Sequence, residues 1–145
     1  MSAASSPNTD SWKTGRFLDE DLAERIIDSA KKCGATYAEI RTVSNRNTSI
    51  SMRDGKVRNA VPGHDVGATL RCLVDGSWGV HSTSDLKAIH SQVESTISMA
   101  RQVAARRSSG EKPVSLAEVP ISTKDVHWRP LKDIRDIDIE DKVAV

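Results

Sequence analysis

The sequence predicts an α+β fold, an antiparallel hairpin-rich sheet packed against two amphipathic helices. Three observations carry that expectation. Apolar residues recur at helical spacing near the start, as Leu22, Ala23, Ile26, Ile27, Ala30 and Cys33. A second helical stripe follows later, as Leu86, Ile89, Val93, Ile97, Ala100 and Ala104. Between the stripes lies a stretch rich in β-branched residues, interrupted by Asp-Gly at Asp54-Gly55 and again at Asp75-Gly76. Asp-Gly between such runs signals a two-residue hairpin turn, because both central positions need a positive φ, which Asp tolerates and Gly adopts freely.

The first helix begins where Asp19 can accept a hydrogen bond from a free N-terminal amide. Acidic residues crowd its positive end, Lys31 and Lys32 sit at its negative end, and Gly34 supplies the stop. A two-residue turn at Asp54-Gly55 sets Met52 opposite Val57 and Thr48 opposite Val61 on a core face. Ser51, Arg53, Lys56 and Arg58 share the solvated face. The turn at Asp75-Gly76 sets Leu73 opposite Trp78, with Leu70, Cys72 and Val74 on the other side. The strand over 66–74 is then apolar on both faces and reads as a central strand covered above and below. Gly67 and Gly79 mark positions where a neighbour approaches the backbone closely.

Ser84 or Thr83 can cap the second helix, which is expected to run to about Arg107. Beyond it, Pro113, Pro120 and Pro130 keep the chain out of any central strand. At the end, Asp138 precedes Asp141 by one turn, followed by Val143 and Val145, which is how a capped helix opens. Such a helix falls short of the roughly 12 residues that an isolated one needs. The expected organisation is a disordered segment over 1–16, an α+β domain over 17–112, an extended connection over 113–137, and over 138–145 the start of a truncated helix leading to an absent catalytic domain.

Composition narrows the function classes. The 145 residues carry a net charge of +1, so neither the self-repulsion of a disordered chain nor the basic footprint of a nucleic-acid binder is present. The five aromatics, Trp12, Phe17, Tyr37, Trp78 and Trp128, are too few for a base-stacking platform. No direct nucleic-acid or membrane partner is expected. The chain has no run long enough for a membrane span and no hydrophobic signal core, and its two cysteines form no disulfide framework. These features point to a soluble protein of the reduced cytoplasm.

A search for chemistry returns no complete catalytic constellation. No histidine is followed by glutamate, so a His-Glu zinc helix is absent. Cys33 falls on a buried helical stripe and Cys72 in a central strand, where a thiol behaves as a small hydrophobe. The glycines around 63–79 lie within and between strands, unlike a phosphate-cradling loop at a helix start. No catalytic, cofactor-binding or metal-binding residue is assigned. Candidate peptide or partner contacts are Arg53, Lys56 and Arg58, whose basic face suits an acidic partner or stays solvated, and Trp78, which stands at a binding edge or packs on Leu73.

Several motifs occur in a distinctive order. GATYAEIR is followed by a hairpin with SISMRDGKV, then by VGATLRCLVDGSWGVHSTSDL and a long helix. This order resembles the amino-terminal domain of the TldD/PmbA family over nearly the whole chain, most specifically from Gly67 to Gly79 and on through Ser82-Thr83-Ser84-Asp85-Leu86. The resemblance implies a cytoplasmic metallopeptidase or peptidase-like partner, once described as a modulator of DNA gyrase, that acts on unfolded or short peptides as a homodimer or heterodimer. It also implies a catalytic zinc held by a His-Glu-x-x-x-His helix and a later cysteine, and no residue of this sequence matches that motif. The expected function is therefore that of a catalytically incomplete domain that shapes the substrate cleft and the dimer, with zinc in the absent C-terminal part. The alternative is a non-enzymatic interaction module or the inactive half of a heterodimer, of the gyrase-modulator type.

Overall fold

The computed structural model describes residues 18–124, Val126, 131–133 and 136–143. The expected disordered segment over 1–16, and the readings of Trp12, Phe17, Trp128, Pro130 and Val145, lie outside the described residues. Helix α1 spans Glu20–Lys32, strands β1 and β2 span Tyr37–Arg53 and Lys56–Val74, and β3 spans Ser77–Thr83. A 3₁₀ turn at Ile89–Gln92 leads into helix α2, Val93–Ala105, and a short helix α3 covers Ile139–Val143. The strands form one sheet in the order β1-β2-β3. The chain divides into two compact units, one built from residues up to Asn45 and His64–Ser115, the other from Arg46–Gly63 and Leu116–Val145.

Both ends of α1 follow from its local sequence. The Asp19 side chain accepts from the Asp21 amide at 3.3 Å, while Glu20 and Asp21 face the positive end of the helix dipole. At the other end Gly34 adopts φ +97. Its amide donates to Lys31 O and the Ala35 amide to Ala30 O, the paired bonds of a Schellman stop. Just before β1, both the Thr36 amide and its hydroxyl donate to Leu73 O.

Both Asp-Gly turns take the expected form, with Asp54 at φ 53, Asp75 at φ 50, and Gly55 and Gly76 at φ 69. Pairing of Val74 with Ser77 and Leu73 with Trp78 confirms the second hairpin. The core lies on one face of the sheet. Ala68, Leu70, Cys72 and Val74 of β2 are buried with Ile26 and Ala30 of α1 and Val93, Ile97 and Ala100 of α2. Gly79 shares that face, and a Cβ there would run into the Thr96 carbonyl oxygen, so α2 lies directly on the β3 backbone. Arg101 reaches across to donate to Cys33 O at 2.7 Å, joining the two helices at the C-terminal end of α1.

Four expectations need correction. First, β2 is central, yet the helices cover only its even-numbered face; the other face carries the half-buried Thr69 and Arg71 beside Leu73. Second, Gly67 is not a site of close approach, since a Cβ there would meet only Thr83 O at an ordinary 3.5 Å. Third, the outer part of the first hairpin has no core face: Met52, Val57 and Val61 are exposed, because the helices pack where β2 is buried, from Ala68 onward. Fourth, α2 starts later than its apolar stripe. Thr83 Oγ1 accepts from the Asp85 amide and Asp85 Oδ1 from the Lys87 and Ala88 amides, so these caps close a turn at 83–88 that continues through the 3₁₀ segment.

Burial separates the two cysteines chemically. Cys72 is fully buried, and that burial, followed by the negative potential of Cys33, pushes its thiol from 9.0 up to about 11. Because the folded value is the higher one, the stability this thiol contributes is complete below about pH 9 and lost as pH rises through about 11. In the native protein at pH 8, iodoacetamide is expected to alkylate the half-buried Cys33 and to spare Cys72 until denaturant is added. Mass spectrometry of tryptic peptides reads this outcome directly, and early modification of Cys72 would contradict its burial.

Candidate functional site

With the helices on one face of the sheet, polar chemistry gathers on the other. Odd-numbered residues of β2 and even-numbered residues of β3 point there, with Arg71 opposite Val80 and Thr69 opposite Ser82. At one end of this open face the Arg71 guanidinium lies 4.3 Å from the centre of the Trp78 ring, a cation–π distance. Tyr37 meets the same indole edge-on, with ring centroids 6.0 Å apart. Glu39 ties the group together, accepting from Arg71 Nη1 at 2.7 Å and from the Tyr37 hydroxyl at 3.0 Å. That hydrogen bond, then burial and the Glu39 charge, raise the Tyr37 hydroxyl above its ordinary value against the opposing pull of Arg71. The Tyr37 hydroxyl, the Glu39 carboxylate and the Arg71 guanidinium each have a partner within the cluster, so the four side chains form a preorganised platform.

The residues anticipated as contacts divide between the two compact units. Trp78 belongs to the core-bearing unit and is half-buried within the platform. Arg53, Lys56 and Arg58 belong to the other unit, flank the Asp54-Gly55 turn, and are exposed. Arg53 makes a loose 3.9 Å ion pair with Asp54, too solvated to hold a fixed geometry. Reasoning from sequence identified Trp78 but not its partners. Strand alternation places Tyr37 and Glu39 on one face, yet their meeting with Arg71 and Trp78 depends on the β1–β2 alignment, which no short motif encodes.

Metal chemistry finds no support among these side chains. Among the described residues no group of three or more His, Cys, Asp or Glu is placed to hold a metal ion. His64 is engaged with Ser44 Oγ at 2.9 Å, and Cys72 is sealed in the core. The described residues therefore do not fit a zinc site. No helix among them is long and apolar enough to cross a membrane.

Comparison with known proteins gives this arrangement a family. Residues 38–104, from β1 nearly to the end of α2, match the family described as PmbA/TldA metallopeptidase domain 1. A Methanothermobacter thermautotrophicus protein named metalloprotease is 41% identical over 49 residues, 34% of this chain and 11% of that protein. A crystal structure from Bacteroides thetaiotaomicron, described as a candidate modulator of DNA gyrase, aligns with a TM-score of 0.51 at 29% identity. That alignment covers 65% of this chain and 24% of the Bacteroides protein, so the chain spans about a quarter or less of the relatives it matches. The one-sided three-stranded sheet, the paired Asp-Gly turns and these matches agree in likening residues 38–104 to the first domain of the TldD/PmbA family.

Proposed function

We propose that this chain is the amino-terminal, non-catalytic part of a cytoplasmic TldD/PmbA-type zinc metallopeptidase acting on unfolded or short peptides. Its role is to shape the substrate cleft and to support assembly of a homodimer or heterodimer. The observation that carries this reading is the match of residues 38–104 to the first domain of a metallopeptidase family. The lack of a metal-holding cluster among the described residues supports a division of labour in which zinc is bound elsewhere in the whole enzyme. The preorganised platform of Tyr37, Glu39, Arg71 and Trp78 supports a surface role, since rigid aromatic and arginine side chains are the usual anchors of recognition.

A fluorogenic unfolded peptide incubated with the 145-residue chain, with and without added zinc, tests the proposal. Cleavage is expected to remain at the buffer rate in both cases, because the described residues hold no group placed to bind a metal ion. Zinc-dependent turnover by this chain alone would overturn it. The coding sequence beyond Val145 is the companion observation. A His-Glu-x-x-x-His there supports the peptidase reading, and a stop codon would favour a non-enzymatic interaction module.

A further inference from the structure

A second feature occupies the other end of the open sheet face, within the core-bearing unit. Arg41, Gly67, Thr69, Ser82, Thr83 and Ser84 line an open depression of about 360 Å³, near the lower end of the range for small-ligand sites. The two arginines of this face differ sharply. Arg71 is spent on Glu39 and Trp78, whereas Arg41 is exposed and has no hydrogen-bond or ion-pair partner among the described residues. The hydroxyls have a hydrogen to spare. Thr69 and Ser82 share one hydrogen bond at 2.9 Å, which leaves one of their two hydrogens available. Thr83 pairs with Ala68 on the opposite face, where its Oγ1 accepts from the Asp85 amide, and its carbonyl oxygen lies beside Gly67.

No acidic side chain lines the depression. Glu39 is engaged on Arg71 and Asp85 on the Lys87 and Ala88 amides, and Asp65, two residues before Gly67 on β2, is exposed and outside the lining. The depression therefore offers one spare hydroxyl hydrogen from the Thr69–Ser82 pair and one full positive charge from Arg41. An ionised carboxylate is the complement: it only accepts, carries one negative charge, and takes a guanidinium in parallel paired bonds. Gly67 keeps the floor open. Its backbone needs no positive φ, and a Cβ there would make only ordinary contact with Thr83 O, so packing does not require a glycine. The geometry points to a carboxylate-binding site at this depression, taking either the C-terminal carboxylate of a peptide or an acidic side chain within one. This inference rests on the sheet face alone and does not depend on the peptidase reading.

Backbone-amide NMR of the 145-residue chain tests it. The probes are N-acetyl-trialanine as the free acid, its C-terminal amide, the amide of N-acetyl-Ala-Glu-Ala, and inorganic phosphate. The free acid is expected to shift the amides of Gly67, Thr69, Ser82 and Thr83, and the trialanine amide to leave them in place. A response to the Glu-containing amide assigns the site to acidic side chains as well; no response restricts it to chain termini. Arg41→Gln is expected to weaken free-acid binding about ten- to a hundredfold, as loss of a charge-assisted pair does. Arg41→Lys should retain part of the affinity, and Gly67→Val should block the depression while Arg53→Gln changes nothing. Circular dichroism of each variant verifies the fold. Equal shifts from free acid and amide, no shift at millimolar free acid, unaltered binding by Arg41→Gln, or tighter binding of phosphate than of the free acid would each overturn the assignment.

Discussion

Gly79→Ala is expected to destabilise the α+β unit by about 3 kcal/mol or more, at the upper end of what overpacking costs. Gly79 lies on β3 opposite Cys72, on the face that α2 covers. Its φ is not in the positive range, so conformation does not demand a glycine there; distance does. A methyl group would overlap the Thr96 carbonyl oxygen and stand 3.2 Å from the Ala100 Cβ. Neither obstacle is the end of a flexible side chain. Relief requires α2 to lift from the sheet, and α2 holds Val93, Ile97 and Ala100 in the core. Gly110→Ala is the control, because an added Cβ there meets nothing within 4 Å. Urea unfolding followed by circular dichroism should show a large fall in midpoint for Gly79→Ala and almost none for Gly110→Ala. A wild-type midpoint for Gly79→Ala would refute the direct seating of α2 on β3.

Leu70→Ala should cost about 3 kcal/mol by the opposite mechanism, a void in place of a clash. Leu70 is fully buried on the central strand, between Ala68 and Cys72, and is among the largest fully buried side chains. Its neighbours on the strand are small, so little nearby side-chain volume can swing in to fill the space, and incomplete collapse is what makes such truncations expensive. Val80→Ala provides the contrast. Val80 faces the open side and is 43% exposed, so its truncation should change stability by a few tenths of a kcal/mol. Comparable losses for the two variants would mean that the open face is as buried as the helical one.

Local chemistry made much of the fold legible. Asp19, Gly34 and the two Asp-Gly pairs each act within one turn of their own position, and each behaves in the structure as its residue type requires. The core stripes were legible for the same reason, since helical and strand periods are properties of a single segment. Legibility failed where an outcome depends on how segments meet. Apolar residues on both faces of β2 suggested two covering layers, but both helices settle on the same side, and Leu73 finds cover beside Trp78. Of the two expected caps, Ser84 and Thr83, Thr83 does accept a backbone amide, but with Asp85 it closes a preceding turn, and the first regular turn of α2 waits until Val93. At the open face, Trp78 was visible as a candidate but Arg41 was not, because its significance lies in a missing counter-charge. That is settled by where Glu39 turns, and no spacing rule reports it.

The stretch after α2 bears on how exposed apolar chain is kept from pairing with copies of itself. Val114, Leu116, Val119 and Ile121 are all exposed, Ile121 completely. Four aliphatic residues in so short an extended run resemble the windows that stack into cross-β aggregates. Pro113 stands at its start, and Glu118 and Pro120 break it from within. A proline has no amide hydrogen to offer a neighbouring strand, and a buried glutamate charge would be costly in a dry interface, so the run never presents an uninterrupted template. These three residues act as gatekeepers, allowing an apolar strip to remain in water without recruiting copies of itself.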